Sequence, residues 1–465
     1  MARVRAREVN PEWPNCRINE STNYRPKGER TVALRAGSAS TDITPALGCH
    51  LCGYFTDRVA DHIHDPLSAK ALVLGNDEKT IGIVVCDVID VPTEVVTGAK
   101  ERIQAQTGVP PECIMISATH THTGPSIVGG LGTPKDDAYG AAIIPKIADA
   151  FTLAYNALQP AELAVTSGLC AEEVHNRRWH MRDGSVRMNP GHDNPDRARP
   201  AGPSDPELGL VVVRTPQRQP IAVLANLPLH YVGSPKGTWV SADYFAEFGR
   251  ALQRCAGSEF VAIMSNGCQG NINNLDFTRA PREHPDPYFQ IRRVANVVAA
   301  EAWKQWSLLR EDDFTANAVL DSRLEHVPFR ARTATADELA DARRLLAGDE
   351  NPTDQEWVYA REVVLLSEGP SDWEVVLQAL RIGDAGIASL PGEVFCEIGL
   401  DIKAGSPFER TFVVGIANGS VGYIATDEAL AQGSYETRLC RHVRAPAGTA
   451  GLWTNAAVSL LKEMA

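Results

Sequence analysis

The sequence predicts an α/β domain with mixed β-sheets and flanking helices. Short apolar runs of strand length alternate with longer stretches of helical spacing from about residue 36 onward. Several neighbouring runs are joined by tight turns, which favours mixed over all-parallel sheets, because parallel neighbours need a longer crossover. With 465 residues, 44% of them hydrophobic, the chain can bury one large core or two smaller ones.

Residues 1–35 are polar, contain Arg3, Arg5 and Arg7, and read as an N-terminal arm ahead of one domain over 36–465. Ala69–Leu74 and Thr80–Val88 flank Gly75-Asn-Asp-Glu and form a hairpin. Thr93–Thr107 has helical spacing and stops at Gly108, and Glu112–Ala118 is a buried strand. Further strands are expected at Leu208–Arg214, Ile221–Leu227, Glu259–Ser265, Glu374–Ile382, Gly386–Leu390 and Thr411–Ile416. Helices are expected at Ala138–Leu158, Tyr244–Cys255, Tyr288–Trp306, Glu393–Ala404 and Leu452–Met464. Thr335–Ala347 and Thr353–Ser367, broken by Gly348-Asp-Glu-Asn-Pro352, form a helical hairpin inserted at the surface over about residues 335–368.

Composition excludes some functions. The formal net charge is −13 and no Lys/Arg run resembles a phosphate-backbone footprint, so no nucleic-acid partner is expected. No segment approaches the roughly 20 apolar residues of a membrane span, and Met1–Arg30 lacks the apolar stretch of a secretory signal. The protein is therefore expected to be cytoplasmic, with reduced and mostly buried thiols. Cys49-His-Leu-Cys52 is half of a zinc motif with no second half to complete it. Self-association stays open.

Four segments carry chemistry: Ala118-Thr-His-Thr-His-Thr-Gly-Pro125, Leu227-Pro-Leu-His230, Leu390-Pro-Gly-Glu393 and Gly422-Tyr-Ile-Ala-Thr426. Each sets a metal-competent or proton-transferring side chain beside a Gly or Pro break. Three His and a Glu are sufficient ligand types for a catalytic zinc with an open position for water. His120 and His122 lie two apart after a strand, and in extended backbone both rings face one side. His230 at a strand end reads equally as a structural residue, and Glu393 at a helix start as a dipole partner. Tyr423 and Tyr435 read equally as packing. Asn176–Arg187 holds four arginines in twelve residues around a turn at Asp183-Gly184; it is either a solvated face or a site for an anionic substrate or oxyanion. Asn266-Gly-Cys-Gln-Gly-Asn-Ile-Asn-Asn274 follows a strand and can present N–H groups to a ligand through Gly270.

Together with the opening Ala36-Gly-Ser-Ala-Ser-Thr-Asp-Ile-Thr-Pro45, these segments resemble the catalytic domain of the neutral (non-lysosomal) ceramidase family, from about Ala36 to the C-terminus. The resemblance implies that fold and one zinc ion per chain, held by His120, His230, Glu393 and Tyr423. It implies proton transfer by His122 and polarisation of the scissile carbonyl by Arg177 and Tyr435. Two departures stand out. Gly270-Asn-Ile-Asn-Asn274 places Asn273 where the family has an active-site serine, and Asn cannot act as nucleophile or proton relay. No C-terminal immunoglobulin-like domain is expected after the last helix.

The expected activity is zinc-dependent hydrolysis of a small, polar, anionic amide rather than of ceramide, with Arg178, Asn273 and Gly270 contacting the substrate. The same ligands serve an ester or lactone hydrolase, or a zinc-dependent lyase or isomerase acting on a sugar-like carbonyl compound. A non-catalytic binding protein that keeps the fold is the remaining reading.

Overall fold

The computed structural model describes residues 33–348 and 350–465. The arm expected over residues 1–35 lies, but for its last three residues, outside the described residues.

Three sheets organise the chain, each with helices of its own. The first has five strands in the order Ile114–Ala118, Thr80–Cys86, Ser68–Gly75, Arg35–Asp42 and Gln159–Pro160. Its expected hairpin is present, with Gly75 opposite Thr80. Asn76 builds the turn by accepting the N–H groups of Glu78 and Lys79 at 3.0 and 2.8 Å. Helices Thr93–Thr107 and Asp137–Asn156 pack against each other, and the second lies on this sheet. The second sheet runs Val261–Asn266, Pro220–Leu227, Glu207–Arg214 and Glu162–Leu169, under helices Asp243–Ala256 and Phe289–Leu308. The third runs Leu320–Arg330, Asp372–Ile382, Ala385–Ser389 and Arg410–Val414, with Thr449–Lys462 against it. Apolar side chains between these layers form three large cores, and the first and second sheets share packed strands.

One topological feature positions the site. Each sheet contains a single parallel pair: Thr80–Cys86 with Ile114–Ala118, Pro220–Leu227 with Val261–Asn266, and Ala385–Ser389 with Arg410–Val414. The C-terminal ends of these pairs are tied together across sheets by backbone hydrogen bonds. Ala118 donates to Ile416 and Gly415 to Asn266, each at 3.1 Å. The loops leaving three different sheets therefore meet at one place, as ligand sites do at the carboxyl ends of parallel strands.

The helical hairpin spans Ala336–Leu346 and Gln355–Glu368. Thr335 and Glu338 form a reciprocal capping box at its start, and Asp354 caps its second helix. Its inner face grips the chain after Tyr435: Glu356 pairs with Arg438, and Glu362 holds Arg441 through two bonds of 2.7 and 2.8 Å.

The structure departs from expectation in three respects. The helix expected from Glu393 begins at Cys396, and Glu393–Val394 pairs instead with Tyr423–Ile424 as a short parallel ladder. The backbone rule used for His120 and His122 does not hold either, because His120 has a left-handed φ of 70° and is not extended. Strands Arg35–Asp42, Glu162–Leu169 and Leu320–Arg330 were not expected.

Candidate metal centre

His120 follows the first sheet's parallel pair, His230 the second's and Glu393 the third's. His120 Nε2 lies 3.1 Å from Glu393 Oε2, and His230 Nε2 lies 3.9 Å from the same oxygen. The ligand atoms of His120, His122 and His230 all fall within 4.8 Å of one another, and all three residues are buried. His120 Nε2, both nitrogens of His122, His230 Nε2 and Glu393 Oε2 have no hydrogen-bond partner among the described residues. Leaving so many buried polar atoms unsatisfied is costly. A divalent cation among them would remove that cost, so the donor set fits a metal of the zinc type.

The supporting contacts fix which atoms point inward. His120 Nδ1 donates to the Ile89 carbonyl at 2.7 Å, which leaves Nε2 as the free lone pair. The left-handed backbone at His120, whose N–H donates to Val88 at 3.0 Å, turns both rings of the pair inward with centroids 4.8 Å apart. Positive φ at a non-glycine residue costs energy and tends to survive where function needs it. His230 Nδ1 faces the Gln269 carbonyl at 3.4 Å, with Arg177 Nη1 at 3.5 Å on the same nitrogen. The carbonyl is the partner that leaves Nε2 free. His122 stacks on Tyr231 with centroids 3.6 Å apart. Gly53 gives His122 its room, since a Cβ there would lie 2.5 Å from the imidazole.

Glu393 and Tyr423 face each other in the parallel ladder. Behind them, Arg177 donates to the Tyr423 hydroxyl at 3.0 Å and to Glu436 at 2.9 Å. Tyr435 stands edge-on to Tyr423 with centroids 5.7 Å apart, and it lines the cleft.

Burial acts on every ionisable group here, and neighbours decide the outcome. Burial raises the Glu393 pKa, but His120, the Tyr423 hydroxyl and Arg177 outweigh it and hold the carboxyl below its usual range. For His120, burial pulls the pKa down, and the Glu393 carboxylate beside it outweighs burial and holds it above the ordinary imidazole value. Burial, aided by the charges of His120 and Arg177, pushes His122 and His230 well below the ordinary imidazole value. Asp90, also in the cleft, is pushed up to about 7 by burial against the pull of His120.

The structure gives three expected substrate contacts internal partners. Arg178 donates to Glu436 at 2.9 Å and to the Gly433 carbonyl at 3.0 Å, and it does not line the cleft. Asn273 donates to Asn189 at 2.6 Å and accepts the Leu275 N–H at 2.9 Å. The Gly270 N–H donates to the Val394 carbonyl at 2.8 Å, and a Cβ at Gly270 would meet the Glu393 carbonyl oxygen at 2.4 Å. Gly270 thus lets two backbones touch so that Glu393 reaches the histidines. The four-arginine cluster divides in two: Arg177 and Arg178 are buried, while Arg182 and Arg187 are exposed. Cys49 and Cys52 are free thiols, and burial raises both to about 11.

A cleft of about 310 Å³ opens onto this centre. Its wall includes Asp90, Trp373, His442 and Arg444, which the sequence reading missed. Asp90 and Trp373 each stand alone along the chain, and the His442-Val443-Arg444 alternation belongs to no motif that marks it.

No protein-family model matches the sequence, and no curated protein matches it. Two solved structures share the fold. One is a neutral ceramidase from Pseudomonas aeruginosa, with a TM-score of 0.72 and 21% identity, covering 92% of this chain and 74% of that one. The other is a ceramidase complexed with C2, with a TM-score of 0.71 and 20% identity, covering 92% and 75%. The chain thus has a neutral-ceramidase-like fold. Among the described residues no helix is long and apolar enough to cross a membrane.

Proposed function

We propose that this protein is a zinc-dependent hydrolase of a compact polar amide, with His120, His230, Glu393 and Tyr423 holding one ion. One observation carries the reading: unpartnered atoms of His120, His230 and Glu393 converge beside a cleft that His120 and Glu393 line, in a fold shared with ceramidases. Zinc at such a site supplies a water nucleophile near neutral pH and polarises a carbonyl.

The chain's own residues supply the rest. His122 has two unpartnered ring nitrogens beside the ligand atoms, so it takes up a proton and delivers it to the leaving amine. Tyr435 offers its hydroxyl to the oxygen that gains charge. Arg177 acts from behind: its guanidinium holds Tyr423 and, through Glu436, the wall that carries Tyr435. A cleft of about 310 Å³ lies at the small end of ligand sites and suits a compact substrate better than a long-chain ceramide.

The test is a panel of small amides, esters and lactones offered to metal-replete and chelator-stripped protein, with products analysed in oxygen-18 water. Hydrolysis incorporates one solvent oxygen per turnover and stops without metal. Turnover with no label in the product would point to lyase or isomerase chemistry instead. No turnover of any member, with metal bound, would favour a binding protein.

A further inference from the structure

We propose that Arg444, stacked on Trp373 in the cleft wall, is the specificity determinant that binds a carboxylate at the far end of the substrate. This rests on the hydrolase reading above and names its substrate class.

Three cationic side chains line the cleft, and two of them are already neutralised. Arg441 is held by both oxygens of Glu362 at 2.7 and 2.8 Å, and Lys135 lies 2.8 Å from both Glu94 and Asp137. Arg444 differs. Among the described residues its side chain has neither an ion pair nor a hydrogen bond, and its Nε is buried without a partner. Its guanidinium lies over the Trp373 ring at 4.5 Å from the centroid. Burial and the nearby Arg441 hold its pKa below the usual guanidinium value, so the site would gain from an anion.

The geometry favours a carboxylate. A guanidinium stacked on an aromatic face keeps its N–H groups in the plane, where its accessible edge donates to two carboxylate oxygens side by side. The segment's backbone aims the group at the chemistry. In His442-Val443-Arg444, Val443 points into the core while both flanking side chains line the cleft. The His442 carbonyl accepts the Tyr423 N–H at 2.7 Å, so this segment is fastened directly to a residue of the metal centre. One substrate can therefore present its amide to His120, His122 and Glu393 while its carboxylate reaches Arg444. Anion recognition expected of Arg178 passes to a residue whose charge is free.

The experiment compares matched substrates on metal-replete protein. Glutaryl- and pentanoyl-4-nitroanilide differ by a carboxylate on the acyl side. N-butanoyl-β-alanine and N-butanoyl-propylamine differ by one on the amine side. In at least one pair, wild type should favour the acid by about 10- to 100-fold in kcat/KM, the scale of a charge-assisted bidentate contact. Arg444→Met should bring that ratio close to one, mainly through KM, and Arg444→Lys should leave a few-fold preference. The exposed Arg187→Met should keep the wild-type ratio. Turnover with no preference for either acid, or a preference that survives in Arg444→Met, overturns the proposal and leaves the hydrolase reading intact. If no pair is turned over, the hydrolase reading fails instead. Calorimetry with glutarate against glutaramide then decides the anion site: glutarate binding lost in Arg444→Met supports it, and binding that is absent or unchanged overturns it. Should Arg444→Met fail to fold, Arg444→Lys and wild type carry the same comparison.

Discussion

Glu393 and Tyr423 are register partners in a two-residue parallel ladder, and the Tyr423 hydroxyl accepts a hydrogen bond from Arg177 at 3.0 Å. This ladder is what delivers Glu393 Oε2 to within 3.1 Å of His120 Nε2. Tyr423 thus links the histidines and Glu393 to Arg177 behind them.

Removing that hydroxyl should loosen the site without unfolding the chain. Tyr423→Phe is expected to lower metal affinity or activity about 10- to 100-fold, the usual scale for losing a group that holds or supports a metal site. Metal titration and kcat/KM measure it. Wild-type values for both would remove Tyr423 from the metal centre.

His122 separates proton transfer from metal binding. His122→Ala should retain the ion and lose roughly 10²–10⁴-fold in rate. Because all three histidines cluster within 4.8 Å, loss of metal in this variant would make His122 a ligand and leave the proton to another group.

Glu436 is fully buried and pairs with both Arg177 and Arg178 at 2.9 Å. Glu436→Gln leaves two guanidinium groups short of a counter-charge. Breaking a buried pair typically costs about 3–5 kcal/mol, so denaturant unfolding should show a large loss. A change below about 1 kcal/mol would mean that water or another carboxylate takes over.

Lys100 is buried in helix Thr93–Thr107, and desolvation lowers its pKa from 10.5 to about 7. The unfolded chain therefore holds a proton that the folded chain releases between these values, and stability rises with pH through this window. Below the folded value the burial penalty is complete. Lys100→Met should stabilise by at least about 1 kcal/mol near pH 6, with the gain shrinking toward pH 10. A gain independent of pH would locate the effect in packing.

Much of this was legible in the sequence where local rules and tertiary structure agree. Thr93–Thr107 follows the helical period to the residue and stops at Gly108, whose φ of 77° suits a glycine cap. The hairpin about Asn76 shows its own turn chemistry. Strand Leu320–Arg330 was hidden because it carries charges and Pro328, which an edge strand tolerates and a central one does not. Arg35–Asp42 is rich in small polar residues and becomes a strand by pairing along its length with Ser68–Gly75. Glu393 reads as a helix start because Pro391 and Gly392 precede it. Its ladder partner lies thirty residues on, beyond any local signal. For the same reason Arg178 and Arg444 exchange expectations: which arginine is free depends on where Glu436 and Glu362 fold.

The central claim, one ion held by His120, His230, Glu393 and Tyr423, is tested most directly by metal analysis of purified protein after dialysis. Wild type should carry one zinc per chain. His120→Ala should carry none while keeping the far-ultraviolet spectrum and the cooperative unfolding of wild type. A wild type that binds no metal in zinc-containing buffer, or a His120→Ala variant with full occupancy, would contradict it.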